Sequence, residues 1–495
     1  MFSLLSIVSR YAKCLLVPVL AAALLGLHPR PVSAATRLVL PDGSGPYPTI
    51  QAAIDAAEEG DEILLGDGVF VGPGNRDLSI PEFLAFSSES GRFEACVIDL
   101  EGFGLGEVDV AVTCRDVTVR NGGGLFIFFG EVSFSGCRFQ RQSLVVMTGS
   151  DMAAAHFTDC TFEDGSGIQL LTSNLTATGC TFSGCTSPVL RGWATALQSC
   201  VFWGNRGTGP LLVGHDYMGM APYYDMDGCQ FLDNDVPVVI EAPVDATDCT
   251  FARNAGTAVL VENTSLSEVV TPAFTRTTFA GNGGPAVALS QNEWQGAVEA
   301  FIDHVIIASG SGPAVSCFGA GVSAHIACCD IWSNAGGDWV GCIAGQEGQD
   351  GNFSADPLFC GTGLSPYMLR QDSPCQGGPC GQVGAWRVGC GASAVESAFG
   401  ATAALVARPN PTRESLQITF AAGAEVSGGR LGNHDGERLT IHDASGRRVR
   451  VLSSSGGLWR WDRRDEGGHL VAGGVYLLRT ETAGEPMART VVVLD

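Results

Sequence analysis

Cys137-Arg-Phe139, Cys160-Thr-Phe162, Cys180-Thr-Phe182, Cys200-Val-Phe202, Cys229-Gln-Phe231 and Cys249-Thr-Phe251 are six copies of one tripeptide. The theme continues in weaker form as Thr277-Thr-Phe279, His304-Val-Ile306 and Cys329-Asp-Ile331, with starts 20 to 29 residues apart. Five residues after a start stand Asn205, Asn234, Asn254, Asn282 and Asn334. Turn residues and a short apolar strand follow, as in Val259-x-Val261, Val287-x-Leu289 and Val315-x-Cys317.

Strand side chains alternate with period two, so Cys-x-Phe places two side chains on one face. A repeat of this length, with short strands and no helical periodicity, is one turn of a solenoid. Stacking turns at about 4.8 Å sets each Cys over the previous Cys and each Phe over the previous Phe. The Asn file then reads as an amide ladder at a turn. The expected fold is all-β: a right-handed parallel β-helix, with length variation confined to outward loops.

Composition fits this reading. Only 16% of the 495 residues are charged, 66 are Gly, and the net charge is −24. That balance argues against nucleic acid or an anionic membrane as partner. A polyanionic glycan would require a bridging cation such as Ca²⁺, and no other cofactor is implied. Arg10 and Lys13 precede an apolar run from Leu15 to Leu27, and Val32-Ser33-Ala34 is a small-residue cleavage site. Residues 1–34 therefore read as a signal peptide, and the protein as secreted or held at the cell surface, with no later membrane span. Lys13 is the only lysine in the sequence.

Ile50, Ala53, Ile54 and Ala57 recur at helical spacing, with Thr49 as N-cap and Gly60 as stop, before a strand at Glu62 to Leu65. Such a helix would cover the open end of a solenoid. Tyr47-Pro-Thr-Ile-Gln-Ala-Ala-Ile-Asp-Ala-Ala57, with Gly60-Asp61 and Gly68-Val-Phe70, resembles the N-terminal cap signature of the pectate-lyase-like β-helix superfamily. That superfamily contains lyases, glycosidases, epimerases and adhesins, so the resemblance implies the fold and leaves activity open. The β-helix is expected over 35–390, with the cap at 35–70 and a Cys-rich closing segment at 340–390. This last part (Gly351 to Cys360, Ser373-Pro374-Cys375, Val383-Gly-Ala-Trp386) resembles the end of secreted bacterial β-helix repeat proteins. A small, polar linker at 391–405 leads to a unit of alternating strands at 406–495. There Ile441 to Val449, Trp461-Asp462 and Gly474-Val-Tyr-Leu477 resemble FlgD-like Ig domains, relatives of C-terminal sorting domains in Gram-negative bacteria. The resemblance implies export or surface-sorting machinery as a partner. Arg463 stands where that family has Gly after Trp-Asp.

The ladder cysteines (137, 160, 180, 200, 229, 249) are expected as free thiols, because in-register Cβ atoms about 4.8 Å apart exceed disulfide reach. Cys342, Cys360, Cys375, Cys380 and Cys390 lie off the ladder and are the disulfide candidates. Zinc is the rival use of cysteine, through Cys375-x₄-Cys380 or His325 with Cys328-Cys329. No paired Cys-x₂-Cys supports it, and no metal site is expected.

Variable loops follow the apolar strand after each Asn turn, and would line up on one flank. They carry Trp193, His215, Tyr217, Tyr223, Tyr224, Glu241, Glu262, Glu293 and Trp294 as candidate ligand-binding residues, with Arg191, Asp216 and Asp225 as weak catalytic candidates. Aromatic faces beside carboxylates suit sugar rings, and the bland alternative is that long loops collect polar residues. Relatives that act as lyases use Lys or Arg as base, and the mature chain has no Lys. The Asp-Asp, His-Gly and Arg-x-Lys motifs of polygalacturonase-like enzymes are absent. The reading is an exported bacterial protein binding extracellular polysaccharide without strong catalysis. Its rivals are a polysaccharide lyase or glycoside hydrolase using the same groove, and a purely structural adhesin.

Overall fold

The computed structural model describes residues 34–493 apart from short gaps, the longer of them at 143–145, 149–152, 170–173, 215–222, 239–243, 264–268, 292–295, 361–366, 391–404, 409–414 and 421–437. The signal-peptide segment and most of the linker lie outside the described residues. The chain divides into two compact units: Met1–Val244 with Asn254–Val270 and Ser290–Ala297, and Asp245–Arg253 with Thr271–Leu289 and Val298–Asp495. The architecture is a parallel β-solenoid of about 12 turns with almost no helix. Each coil gives one strand to a first sheet and one to a second, and short strands such as Leu125–Ile127 and Leu190–Gly192 form a third side.

In the first unit the second sheet is in perfect register through the phenylalanines. Phe139 pairs with Phe162, Phe162 with Phe182, Phe182 with Phe202, and Phe202 with Phe231. Their rings stack nearly parallel at centroid separations of 5.0, 4.5, 4.6 and 4.6 Å. Each is buried, which contributes about 1.5–3 kcal/mol per ring. The file also runs backward through Val119, Ile98 and Phe70. Those coils precede the first Cys-x-Phe, and aliphatic residues in the ring position hide two of them from the motif.

In the second unit Phe251 pairs with Phe279, Phe279 with Ile307, and Ile307 with Ile331. The repeat read as His304-Val-Ile306 is therefore shifted by one residue, and the ladder members are Val305 and Ile307. A one-residue slip exchanges the faces of a strand, and His304 sits instead at the corner with φ of +56°.

That corner is itself a file. Asp116, Gly136, Asp159, Gly179, Ser199 and Gly228 in the first unit, and Asp248, Arg276, His304 and Cys328 in the second, all adopt φ between +44° and +65°. Each immediately precedes a ladder residue. Over the first four of these positions Asp and Gly alternate for a steric reason. A Cβ on Gly179 would lie 2.3 Å from Asp159 Oδ1, and one on Gly136 would lie 2.4 Å from Asp116 Oδ1.

The asparagines bond along their file. Asn205 Nδ2 donates to Asn234 Oδ1 at 2.8 Å, and Asn234 Nδ2 to Asn254 Oδ1 at 2.7 Å. The same amides donate to the Phe182, Phe202 and Phe231 carbonyls. In the second unit Asn282 and Asn334 donate to the Phe251 and Ile307 carbonyls. Gly310, in the coil without an amide, donates its N–H to Asn334 Oδ1.

Eleven described cysteines are free and buried, the six ladder thiols among them. Cys137 lies 3.9 Å, sulfur to sulfur, from Cys114. Three disulfides join Cys317 to Cys342, Cys328 to Cys380 and Cys360 to Cys390. Cys375 departs from the sequence expectation. It is a buried free thiol, donating to Asp330 Oδ2 at 3.0 Å. Its place as a bridge partner goes to Cys317 and Cys328, which the repeat pattern masked. Cys328 and Cys329 are neighbours, so one faces outward and the other joins the interior file.

Within the second unit the closing segment lies on the outward side of the second sheet. Trp386 Nε1 donates to Thr250 Oγ1 at 2.7 Å, Ala385 N to Thr278 Oγ1 at 3.0 Å, and Gly384 N to the His304 carbonyl at 2.7 Å. Ile306, Ala308, Leu369, Cys375 and Val383 pack with Phe353 and Phe359 beneath it.

At the start of the chain, helix Ile50–Asp55 is N-capped by Thr49 and buries Ile50, Ala53 and Ile54. At its end are two small antiparallel sheets. One contains Leu405–Arg408, Leu416–Phe420 and Leu458–Trp461, and the other Arg448–Ser453, Arg438–Asp443, Gly474–Thr482 and Glu485–Val493. Leu416, Ile418, Leu439, Ile441, Trp459 and Trp461 share their core. Arg463 takes φ of +60°, the conformation a glycine would supply.

Candidate functional site

In chain order the variable segments fall between a third-side strand and the next first-sheet strand; residues 215–222, for example, lie between Leu212–Gly214 and Tyr223–Asp227 in the sequence. Trp193, His215, Asp216, Tyr217, Glu241, Glu293 and Trp294 lie outside the described residues. Of the remaining candidates, Arg191 is on the third side, its strand paired with Leu212–Gly214. Its Nε is buried without a hydrogen-bond partner. Glu262 is half-buried on Val259–Asn263. Tyr223, Tyr224 and Asp225 are on a first-sheet strand whose burial alternates. Tyr223 is 41% exposed, whereas Tyr224 is fully buried and belongs to the core. The assignment of Tyr224 to the outer flank is therefore corrected: strand alternation turns it inward beside Met226. Arg191 and Asp225 stand on different sheets, so these described candidates do not share one file.

The described residues do form a cleft on another surface, the outward side of the second sheet in the first unit. Strands Thr161–Glu163, Thr181–Ser183 and Val201–Trp203 turn their central Phe inward, which turns Glu163, Ser183 and Trp203 outward. The next positions in the same coils are Asp164, Gly184 and Gly204, all with positive φ. Gly204 borders open space, since a Cβ there would meet nothing within 4 Å, whereas a Cβ on Gly184 would lie 2.7 Å from Asp164 Oδ1. The resulting cleft of about 440 Å³ is completed by Arg206 and Asp235.

Trp203 is 44% exposed, a large indole presented to solvent on a fixed strand. Glu163 accepts two hydrogen bonds from Arg138, at 3.0 and 2.5 Å. Arg138 thus holds Glu163 in place as a hydrogen-bond acceptor at the edge of the cleft. The Arg206 main-chain N–H donates to the Cys185 carbonyl at 2.8 Å, which fixes the base of its side chain. Chemically the cleft offers an aromatic face, carboxylate acceptors, one hydroxyl and one guanidinium. Such a set stacks C–H faces and accepts hydroxyl hydrogen bonds.

The sequence reading passed over Trp203, Glu163, Asp164 and Asp235. The signal was available: the residue following Phe in each tripeptide faces outward by alternation.

One further cluster, Asp303, His304 and Cys328, brings potential metal-binding atoms within 4.8 Å of one another. Its sulfur is engaged in the Cys328–Cys380 bridge. His304 bonds Asp303 at 2.9 Å and the Cys380 carbonyl at 2.9 Å. These contacts tie the closing segment to the coil. No described helix is long and apolar enough to cross a membrane.

No family model matches the chain, and no curated protein is similar to it. Among solved structures it is similar to PorZ, a surface component of the type-IX secretion system of Porphyromonas gingivalis. That match has 21% identity over 18% of this chain and 11% of the other, with a TM-score of 0.15. This chain thus covers about a tenth of that protein's length. It is also similar to the A-module of a mannuronan C-5 epimerase from Azotobacter vinelandii, at 13% identity, 62% and 94% coverage, and a TM-score of 0.38. A third likeness is to a tailspike of an Acinetobacter baumannii bacteriophage described as a capsular polysaccharide depolymerase. It has 11% identity, 94% and 78% coverage, and a TM-score of 0.32.

Proposed function

We propose that this chain is an exported protein that binds an extracellular polysaccharide on the outward side of its second sheet and does not cleave it. The observation that carries this reading is the exposed indole of Trp203 at the mouth of a cleft lined by Glu163, Asp164 and Asp235. Burial of an indole normally contributes to stability. An indole held out on a strand beside hydroxyl-accepting carboxylates suits the stacking face of a sugar ring. Calcium enters only where the glycan itself carries carboxylates, since three acidic side chains outnumber Arg206 in the cleft.

Affinity electrophoresis of the mature protein through gels containing neutral or acidic polysaccharides tests the reading. At least one glycan retards the wild-type protein, and Trp203→Ala weakens that retardation. Ultraviolet absorbance from unsaturated sugar, or new reducing ends, stays at background. Cleavage products, or uniform migration through every gel, would overturn the proposal. Export by the segment 1–34, and sorting through an Ig-like C-terminal domain, belong to the same proposal. The N-terminal mass of protein recovered from medium or cell surface tests the first, and surface retention after deletion of 406–495 tests the second.

A further inference from the structure

The second unit carries its own aromatic cleft, on a differently built corner. Strand Asp330–Trp332 buries Asp330 and Ile331 and leaves Trp332 37% exposed. After it the chain turns through Ser333, at φ of +56°, and Gly337, at φ of +106°. Asp338 locks this turn. Its Oδ2 accepts from the Ser333 N–H at 3.0 Å, and its Oδ1 from the Asn334 N–H and Nδ2 at 2.8 and 2.7 Å. Asn334 is in turn anchored to the Ile307 carbonyl at 3.0 Å. The locked turn delivers Trp339, whose Nε1 donates to Ser354 Oγ at 2.8 Å. Trp332 and Trp339 thereby flank a cleft of about 550 Å³ that also receives Glu347.

We propose that this cleft is a second carbohydrate site, selective for a neutral pyranose. Two indoles are held in place before any ligand arrives, one by a strand and the other by a hydrogen-bonded turn. Fixing aromatic groups in advance removes ordering cost at binding. The Asp338 carboxylate is occupied by the turn, which leaves Glu347 as the acceptor for sugar hydroxyls. The lining contains no Arg or His, so a uronate or sulfated sugar would meet a carboxylate and no cation. That charge balance selects neutral rings, in contrast to the Trp203 cleft, which includes Arg206. The site stands independently of that cleft.

Calorimetric titration of the intact Trp203→Ala protein with cellohexaose, maltohexaose, laminarihexaose and an oligogalacturonate isolates the second site. At least one neutral hexaose binds in the millimolar range or tighter, and the oligogalacturonate does not. Trp332→Ala, made in the same background, weakens that binding tenfold or more, while Trp332→Phe retains most of it. Far-ultraviolet circular dichroism of both variants matches the parent. The proposal is overturned if no neutral hexaose binds, if Trp332→Ala leaves affinity unchanged, or if the oligogalacturonate binds more tightly than the neutral sugars. Each of those results leaves retardation of the wild-type protein by the Trp203 cleft to be judged separately.

Discussion

Replacing Asn234 by alanine strips the amide ladder at its best-connected rung. Its Oδ1 accepts from Asn205 Nδ2 at 2.8 Å and from the Asn205 N–H at 3.1 Å. Its Nδ2 donates to Asn254 Oδ1 at 2.7 Å and to the Phe202 carbonyl at 3.1 Å. All three asparagines are at most 2% exposed, so water does not replace the lost partners. Each stranded buried group costs roughly 1–3 kcal/mol. Asn205 Nδ2 keeps the Phe182 carbonyl and Asn254 Oδ1 keeps the residue-234 N–H at 3.3 Å, so the Asn205 N–H and the Phe202 carbonyl lose this partner, and two groups at the low end give a destabilisation of about 2 kcal/mol. Urea titration followed by circular dichroism reads this as a lower midpoint. In a solenoid the loss spreads to adjacent coils, because each repeat is stabilised by its neighbours, and the transition broadens as well as shifting. Asn174→Ala, at an exposed strand position two coils earlier, serves as control and stays within about 0.5 kcal/mol of wild type. A loss below about 1 kcal/mol for Asn234→Ala would refute the reasoning, since it would mean the amides are not mutual partners.

Gly179→Ala should destabilise twice over, through its φ of +65° and through Asp159 Oδ1 lying 2.3 Å from the new Cβ. The double change with Asp159→Gly should recover the steric part, and chemical denaturation of the three variants measures it. Thiol titration of the denatured, unreduced mature protein should find eleven free cysteines, while the native protein reacts slowly because all eleven are buried. A count near zero would contradict the interior file. Asp330 is raised from 3.8 to about 6, chiefly by burial, and so binds its proton more readily folded than unfolded. Stability from this group therefore rises as pH falls through about 6 and is fully gained below about 4. Asp330→Asn should remove that pH dependence and raise stability at neutral pH by up to about 3 kcal/mol. Parallel melts of both proteins from about pH 4 to about pH 8, roughly two units either side of the folded-state value, decide it, and identical profiles would count against the buried carboxyl.

The ladder was legible because its residues recur in kind: Cys, Phe and Asn return at one offset, and physics offers one way to bury them all. It faded where chemistry was conserved and identity was not. Val119 and Ile98 continue the Phe file without resembling it, and His304 drew the register one residue astray beside Val305. The left-handed corner was visible as Asp or Gly ahead of most ladder cysteines, yet it becomes meaningful only when stacked Asp and Gly are seen to share space. Outward residues were hardest to read. Trp203 and Trp332 stand at the same place in the tripeptide theme, directly after the inward Phe or Ile, but nothing in the linear pattern says which outward positions border a gap. That depends on Gly204 in one unit and on the Asp338-locked turn in the other. Disulfide partners were equally a matter of three dimensions, with Cys375 meeting Asp330 where a second sulfur was expected.

Oxidation of individual tryptophans by N-bromosuccinimide, located by peptide mass spectrometry with and without a saturating retarding polysaccharide, tests glycan binding at the second sheet most directly. Trp203, exposed in the free protein, should be oxidised early and become protected when the glycan is bound, while the buried Trp459 and Trp461 stay unmodified in both. Trp203 oxidised at the same rate under both conditions, with the glycan demonstrably bound, would contradict the assignment of that cleft.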